Sequence, residues 1–153
     1  MKLHNKQHNL ISIIQTDIYL GQNHPDLALN TIQSIAKITP ENRALNYKLA
    51  ETYIRLNQPN EAQKIVQKFV QKNPQDVLGW ELMYYAANED KANPLQAVDV
   101  LRYRAEAQFW SGLEQEAVKS LLQAERLSKD NQSMSAKLKK RIREMQQEIT
   151  AKI

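Results

Sequence analysis

The chain has 153 residues, a formal net charge of +4 at pH 7 and a hydrophobic fraction of 42%. That fraction is sufficient for a buried core, so the composition excludes a disordered tail. Only three Gly residues occur, and Ala, Leu, Gln, Lys and Glu are abundant, which favours helices over a β-sandwich or barrel. The absence of Cys excludes a disulfide framework and a thiolate metal site. No apolar run approaches the roughly 20 residues of a membrane span, so we expect no membrane insertion.

Residues 4–8 are polar, and we predict a flexible, solvated N-terminus over residues 1–8. His4 and His8 have the spacing of two zinc ligands on one helix face. No Glu base and no third His or Cys lie nearby, so a solvated end explains the pair better. Residues 1–20 also lack the apolar core of a secretory signal, which indicates either a cytosolic protein or a fragment of a longer one.

The next segment places apolar residues at helical steps of three and four, which predicts helices near 9–22, 25–38, 42–56 and 59–72. Within it, six residues recur at a spacing of 34: Tyr19 and Tyr53, Asn23 and Asn57, Pro25 and Pro59, Ala28 and Ala62, Gln33 and Gln67, Pro40 and Pro74. A helix-turn-helix period of 34 with these residue types resembles the tetratricopeptide repeat. We therefore predict an array with repeats near 9–42 and 43–76.

Several of the recurring residues fit the ends of helices. Asn23 and Asn57 suit the left-handed turn that closes the first helix of each repeat. Proline two positions later suits the first turn of the second helix, where its missing N–H is tolerated. Asn42 and Asp76 are predicted to cap the helices that follow.

The third unit, residues 77–131, departs from the period. A helix near 76–89 carries Trp80, and helices near 94–111 and 114–128 follow. The small residue Ala117 follows Ala62 at a spacing of 55, which is one period of 34 plus 21. We therefore predict one inserted helix between the second repeat and the next, within an array that spans 9–131.

The last segment, 132–153, is predicted to be a capping helix with Leu138, Ile142, Met145 and Ile149 on its inner face. Its basic run, residues 137–143, could contact nucleic acid or anionic lipid. The run lacks aromatic residues and is diluted by Glu144 and Glu148, so a solvated outer face is favoured and no nucleic acid partner is expected. The predicted fold is thus all-α, an α-α superhelix of about eight helices.

The irregular part resembles a more specific group. The segments carrying this resemblance are Gly79 to Leu82, Arg104 to Ala107, Gly112 to Ala117, Leu121 to Ala124 and the basic Arg141 to Glu144. They resemble the C-terminal tetratricopeptide region of the M48-type zinc metalloproteases of the Gram-negative periplasm, the β-barrel assembly-enhancing protease group.

This resemblance implies a parent protein with an N-terminal zinc protease domain and a periplasmic location. It further implies that the repeats dock the protease on outer-membrane β-barrel assembly proteins and on substrates. The group's His-Glu-x-x-His motif is absent from this chain, so we assign it no catalytic residue, no metal ligand and no cofactor. Zinc would belong to the parent's protease domain.

The first helices of tetratricopeptide repeats line a concave groove, which is the expected protein-binding surface. The groove positions predicted to bind a partner are Ile13, Asp17, Tyr47, Glu51, Ile54, Arg55, Glu81 and Tyr85. Asp17 and Glu51 disfavour a partner's C-terminal carboxylate, whereas the apolar and aromatic members suit an extended segment or a loop. The groove could also be filled by a neighbouring domain.

The sequence therefore predicts a non-catalytic protein-interaction domain, and the resemblance implies that it belongs to a periplasmic protease. The alternative is a stand-alone tetratricopeptide scaffold or adaptor with no protease attached, for which a cytoplasmic location is expected.

Overall fold

The computed structural model describes the backbone of residues 2–153 and the side chains from residue 4 onward. Over this range the chain forms eight helices and no strand: α1 (Lys2–Gly21), α2 (Pro25–Ile38), α3 (Arg43–Arg55), α4 (Pro59–Lys72), α5 (Val77–Glu89), α6 (Gln96–Trp110), α7 (Glu114–Leu127) and α8 (Gln132–Ala151). The predicted all-α superhelix is confirmed, with α5 as the additional helix. None of these helices is both long and apolar enough to cross a bilayer.

Three helices begin at side-chain caps in the same repeat register. The Asn42, Asp76 and Asn131 side chains accept hydrogen bonds from the backbone N–H groups of Leu45, Gly79 and Met134 at 3.1, 3.2 and 3.0 Å. Each bond satisfies one N–H group that the first turn of a helix leaves unpaired. The spacing between the second and third caps equals that between Ala62 and Ala117, so the start signal resumes in register after the insertion.

Three helices also end in the same way. Asn23, Asn57 and Gly112 have φ of 60°, 57° and 93°, the left-handed conformation predicted for the two asparagines. In each turn the next residue donates its N–H to the carbonyl five positions earlier, at 2.8 Å from His24 to Tyr19, from Gln58 to Tyr53 and from Leu113 to Gln108. These bonds across positive-φ turns are typical of Schellman motifs, which terminate α1, α3 and α6.

The first five helices share one hydrophobic core. Helices α1 and α3, which are the first helices of their repeats, and the additional helix α5 pack side by side, and α2 and α4 pack against them. We call α1, α3 and α5 the first-type helices. Ile32, Leu45 and Val66 are fully buried between the layers. The small residues Ala28, Ala50 and Ala62 are fully buried too, which lets the helix backbones approach closely.

A second core lies between α6, α7 and α8, around Phe109, Leu121 and Met145. Tyr103 of α6 belongs to the first core and stacks on Trp80 of α5 with ring centroids 6.2 Å apart, so it joins the two cores. The inner face of α8 buries Leu138, Ile142 and Met145, as predicted for a capping helix.

Two helix starts differ from the prediction. Helix α1 begins at Lys2 instead of near residue 9, so residues 2–8 are helical. Met1 lies outside the described residues, and the flexibility of 1–8 stays a prediction. Helix α6 begins at Gln96 instead of at Pro94, because the Asn93 side chain accepts the Leu95 N–H at 2.9 Å and holds a turn before the helix.

Candidate protein-binding groove

The predicted groove residues lie on the three first-type helices, which are neighbours in the structure. Between α3 and α5 is an open cavity of about 520 Å³, which is lined by Glu51, Ile54, Arg55, Leu82, Tyr85, Asn88, Glu89 and Lys91. The structure thus brings together four of the predicted residues: Glu51, Ile54, Arg55 and Tyr85. The other four, Leu82, Asn88, Glu89 and Lys91, were missed, and the last three of them lie where the irregular end of α5 leaves the repeat pattern.

The ring of Tyr85 is the main apolar surface of this cavity that a partner can reach. Its side chain is 52% exposed, and its ring centroid lies 5.3 Å from that of Tyr84 on the same helix. Tyr85 also lines a neighbouring depression between α5 and α6, together with Glu81 and Arg104. It therefore stands on the ridge between two open surfaces, and Glu81 belongs to the second of them.

Arg55 lines the side of the groove that α3 forms, opposite Tyr85 of α5. One of its Nη atoms donates to the Leu20 carbonyl at 3.1 Å, in the last turn of α1. A cation at this position is favoured by the negative end of the helix dipole. The bond ties α3 to α1 and leaves the rest of the exposed guanidinium facing the cavity.

Asp17 and Glu51 are not free acidic groups. The Lys48 ammonium contacts the Asp17 carboxylate and lies 2.7 Å from the Glu51 carboxylate, which links α1 to α3. Burial lowers the pKa of Lys48, but its hydrogen bonds to these two carboxylates outweigh that effect and raise the pKa above its ordinary value. Lys48 was not among the predicted residues, although its spacing of three from Glu51 was visible in the sequence. The negative surface expected from the two acids is therefore partly neutralised.

Tyr47 does not belong to the exposed groove, which corrects the prediction. It is only 5% exposed, and its hydroxyl donates to the Asp76 carboxylate at 2.6 Å. Gly79 makes this position possible, because a Cβ there would lie 2.5 Å from the Tyr47 hydroxyl oxygen. Burial and the Asp76 hydrogen bond raise the pKa of Tyr47, so the hydroxyl stays protonated. Ile13 is also largely a packing residue, against the first core.

Asp76 is the centre of a polar cluster behind the groove. Arg43 donates two hydrogen bonds to it, both at 2.7 Å, and lies over the Tyr47 ring at 4.6 Å from its centroid. The Arg43 hydrogen bond is the main cause that lowers the pKa of Asp76 to about 2. A bidentate guanidinium–carboxylate pair has fixed geometry, so this cluster holds the start of α3 against the start of α5.

No group of three or more His, Asp or Glu side chains in the described range could hold a metal ion. The basic residues of α8 are largely paired: Arg141 binds Glu106 through two bonds of 2.6 and 2.9 Å, and Lys139 and Lys140 lie 3.6 and 3.9 Å from Glu125 and Glu144.

The recurring geometry of caps, turns and buried alanines matches a known family. Residues 19–84 match the family model of the tetratricopeptide repeat. These residues are tetratricopeptide repeats. Such repeats are protein-interaction modules and have no catalytic role of their own, so the matched segment is a binding scaffold.

The chain is also similar to named proteins. It is 36% identical over 73 residues to beta-barrel assembly-enhancing protease of Escherichia coli strain K12, and equally to the protein of that name from Shigella flexneri. The aligned part covers 48% of this chain and 15% of each relative. The predicted resemblance is confirmed over that stretch, which is a small part of the relatives' length.

Proposed function

We propose that this chain is the protein-docking module of a zinc metalloprotease of the periplasm, and that it positions the protease on outer-membrane β-barrel assembly proteins and their substrates. The observation that carries the proposal is the 36% identity over 73 residues to a protein named for enhancing β-barrel assembly. The protease domain and its zinc would lie outside these 153 residues.

The groove between α3 and α5 is the proposed docking surface. It offers an exposed aromatic ring at Tyr85, an apolar floor at Leu82 and Ile54, and charges of both signs at its rim. Aromatic residues and arginine dominate the energetics of protein interfaces, whereas mixed rim charges mainly set orientation. This combination fits an extended segment or loop of a folded partner.

A binding experiment tests this proposal. The purified chain is immobilised and exposed to the detergent-solubilised β-barrel assembly complex, and retention is compared with that of the double variant Arg55→Ala, Tyr85→Ala. We expect binding to weaken at least about tenfold, because both residues are candidates for interface anchors. The matched control is Lys119→Ala, Leu122→Ala, which removes one cation and one exposed apolar side chain from α7.

The possible outcomes separate the two functional classes. Equal weakening by both double variants would move the binding surface away from the groove. No retention of the assembly complex by the unmodified chain would contradict the proposal and favour a stand-alone scaffold with a different protein partner. The coding sequence provides an independent check, because the protease assignment requires a His-Glu-x-x-His zinc motif in the same reading frame.

A further inference from the structure

A partly enclosed cavity of about 190 Å³ lies where helices α5, α6, α7 and α8 meet. Its apolar lining consists of Trp80, Tyr103, Leu121, Met134 and Leu138. Leu121 and Leu138 are buried and form its floor, whereas Trp80 and Met134 are only half-buried. Trp80 packs against the first core and Met134 against the second. The cavity is therefore a space at the junction of the two cores.

The volume of this cavity fits one side chain better than a complete small molecule. Small-molecule sites usually have about 300–1,000 Å³, whereas an engineered apolar cavity of about 150 Å³ binds benzene. Trp80 and Tyr103, whose stacked rings have centroids 6.2 Å apart, add aromatic surface to the lining. Aromatic rings favour offset or edge-to-face contacts with one another. The size and the lining thus favour the ring of a Phe residue, which has no polar atom to bury.

The charged residues around the cavity differ in how far they are neutralised. Glu106 accepts hydrogen bonds from Arg141 at 2.6 and 2.9 Å, so both of its carboxylate oxygens are occupied. Arg102 lies 3.4 Å from the Asp99 carboxylate. Lys137 is exposed at the edge of the cavity and forms no ion pair with the side chains that the structure describes. The uncompensated charge at the opening is therefore the ammonium group of Lys137.

We propose that this cavity is a second protein-binding site, which takes the ring of a Phe residue from a partner segment in which the next residue is Glu or Asp. The ring fills the cavity, and the neighbouring carboxylate pairs with Lys137. An aromatic anchor in a desolvated pocket, with a charged pair at its rim, is a common arrangement of a binding hot spot. The site is separate from the groove between α3 and α5, because the two cavities share no lining residue.

An NMR titration of the ¹⁵N-labelled full chain tests the proposal. The probe is the peptide Gly-Ser-Phe-Glu-Ser-Gly, which is acetylated and amidated at its ends so that Glu carries its single charge. The chain has two Trp residues, of which Trp80 lines the cavity, so the indole N–H signal of Trp80 should shift more than that of Trp110. Because one side chain and one ion pair supply the binding free energy, we expect a dissociation constant on the order of 100 µM.

Changes in the peptide and in the protein test the two contacts separately. Ala in place of Phe should weaken binding at least about tenfold, because the ring is the anchor. Gln in place of Glu should weaken binding about two- to fivefold, the range of an exposed ion pair. With Lys137→Ala, the Glu and Gln peptides should bind equally, because the partner of the carboxylate is gone. The matched control is Lys140→Ala, whose lysine is exposed on α8 outside the cavity, and there the preference for Glu should remain.

Several results would overturn the proposal. They are the absence of a Trp80 shift at a peptide concentration of about 2 mM, equal binding of the Ala peptide, and a preference for Glu that survives Lys137→Ala. The double variant Arg55→Ala, Tyr85→Ala distinguishes this site from the groove, since it should leave the titration unchanged. Loss of peptide binding in that variant would assign the peptide to the groove and overturn the proposal, whereas retained binding leaves the test of the docking function independent.

Discussion

In α1–α4 and in α6–α8, the first helix of a repeat ends in the same left-handed turn, at Asn23, Asn57 and Gly112. The helices that follow a repeat also start at the same type of cap, at Asn42, Asp76 and Asn131. Small buried residues recur at fixed positions in both regions, but the polar contacts between helices differ. In the first region, a cluster centred on Asp76 connects α3 to α5.

The second region is held by individual contacts that have no counterpart one period earlier. Arg141 of α8 forms two hydrogen bonds with Glu106 of α6 and lies 5.4 Å from the Phe109 ring centroid. The Phe109 and Trp110 rings meet edge to face at 5.1 Å. The comparison shows that turn signals, which depend on a few adjacent residues, resume in register after an inserted helix. Small buried residues resume as well, at Ala105 and Ala117, whereas the polar contacts between helices depend on neighbours that the insertion has changed and do not resume.

Truncation of a core side chain should have the largest effect on stability, and it should affect the two regions separately. Leu45→Ala in the first core and Leu121→Ala in the second each remove a fully buried side chain, and we expect each to lower the free energy of unfolding by about 2–5 kcal/mol. Urea denaturation measures this loss. Native-state hydrogen exchange should show lower protection mainly in α2–α4 for Leu45→Ala and mainly in α6–α8 for Leu121→Ala. If both variants lost protection in both regions alike, the two cores would unfold as one unit.

Acid should act more on the first region, through Asp76. Its carboxylate has a pKa of about 2 in the folded chain, below the ordinary value of 3.8. A lowered folded pKa stabilises the fold above pH 4, and this stabilisation is lost as the pH falls from about 4 to about 2. Its size is on the order of 2 kcal/mol, because the Asp76 side chain is only 6% exposed.

The measurement is unfolding free energy against pH for the unmodified chain and for Asp76→Asn. The variant should be less stable at pH 7, and the difference between the two should shrink across this acidic window. Parallel curves would contradict the role assigned to the Asp76 carboxylate.

The smallest expected effect concerns the shared turn. Gly112 has a φ of 93° and open space around the position of a Cβ, so Gly112→Ala should cost about 1 kcal/mol through backbone strain alone. Gly112→Asn should cost less, since asparagine occupies the equivalent position in the first two repeats and tolerates positive φ. Thermal denaturation measures both. Gly21→Ala is the control, because Gly21 lies at the end of α1 without positive φ, and there alanine should be neutral or stabilising.

Much of the fold was predictable from local signals. The two asparagine turns, the prolines that open α2 and α4, and the caps at Asn42 and Asp76 depend on residues within one turn of each other. The start of α1 at Lys2 was not predictable in this way, since residues 4–9 are polar and the apolar spacing begins only at Leu10.

The candidate site was harder to predict, because burial depends on neighbours distant in sequence. Repeat position placed Tyr47 on the groove face, but the missing side chain of Gly79, on the next first-type helix, allows its hydroxyl to reach Asp76 inside the fold. Similarly, the interaction of Lys48 with Asp17 required knowledge of how closely α1 and α3 approach. Arg55, Glu51, Ile54 and Tyr85 remain on an open cavity, and their role in binding stays a prediction.

The inserted helix α5 also changes the direction in which the helices after it, α6 to α8, run. Successive helices joined by short turns run in opposite directions, so α1, α3 and α5 point one way and α2, α4 and α6 the other. By its turn and spacing, α6 corresponds to the first helix of a repeat. It nevertheless runs in the same direction as α2 and α4, which are the second helices of their repeats. Because one helix is added, each helix after it runs opposite to the direction expected from its position in the repeat. Excising the inserted segment would restore the repeat period but reverse the last repeat, which would exchange the surfaces that it presents to either side.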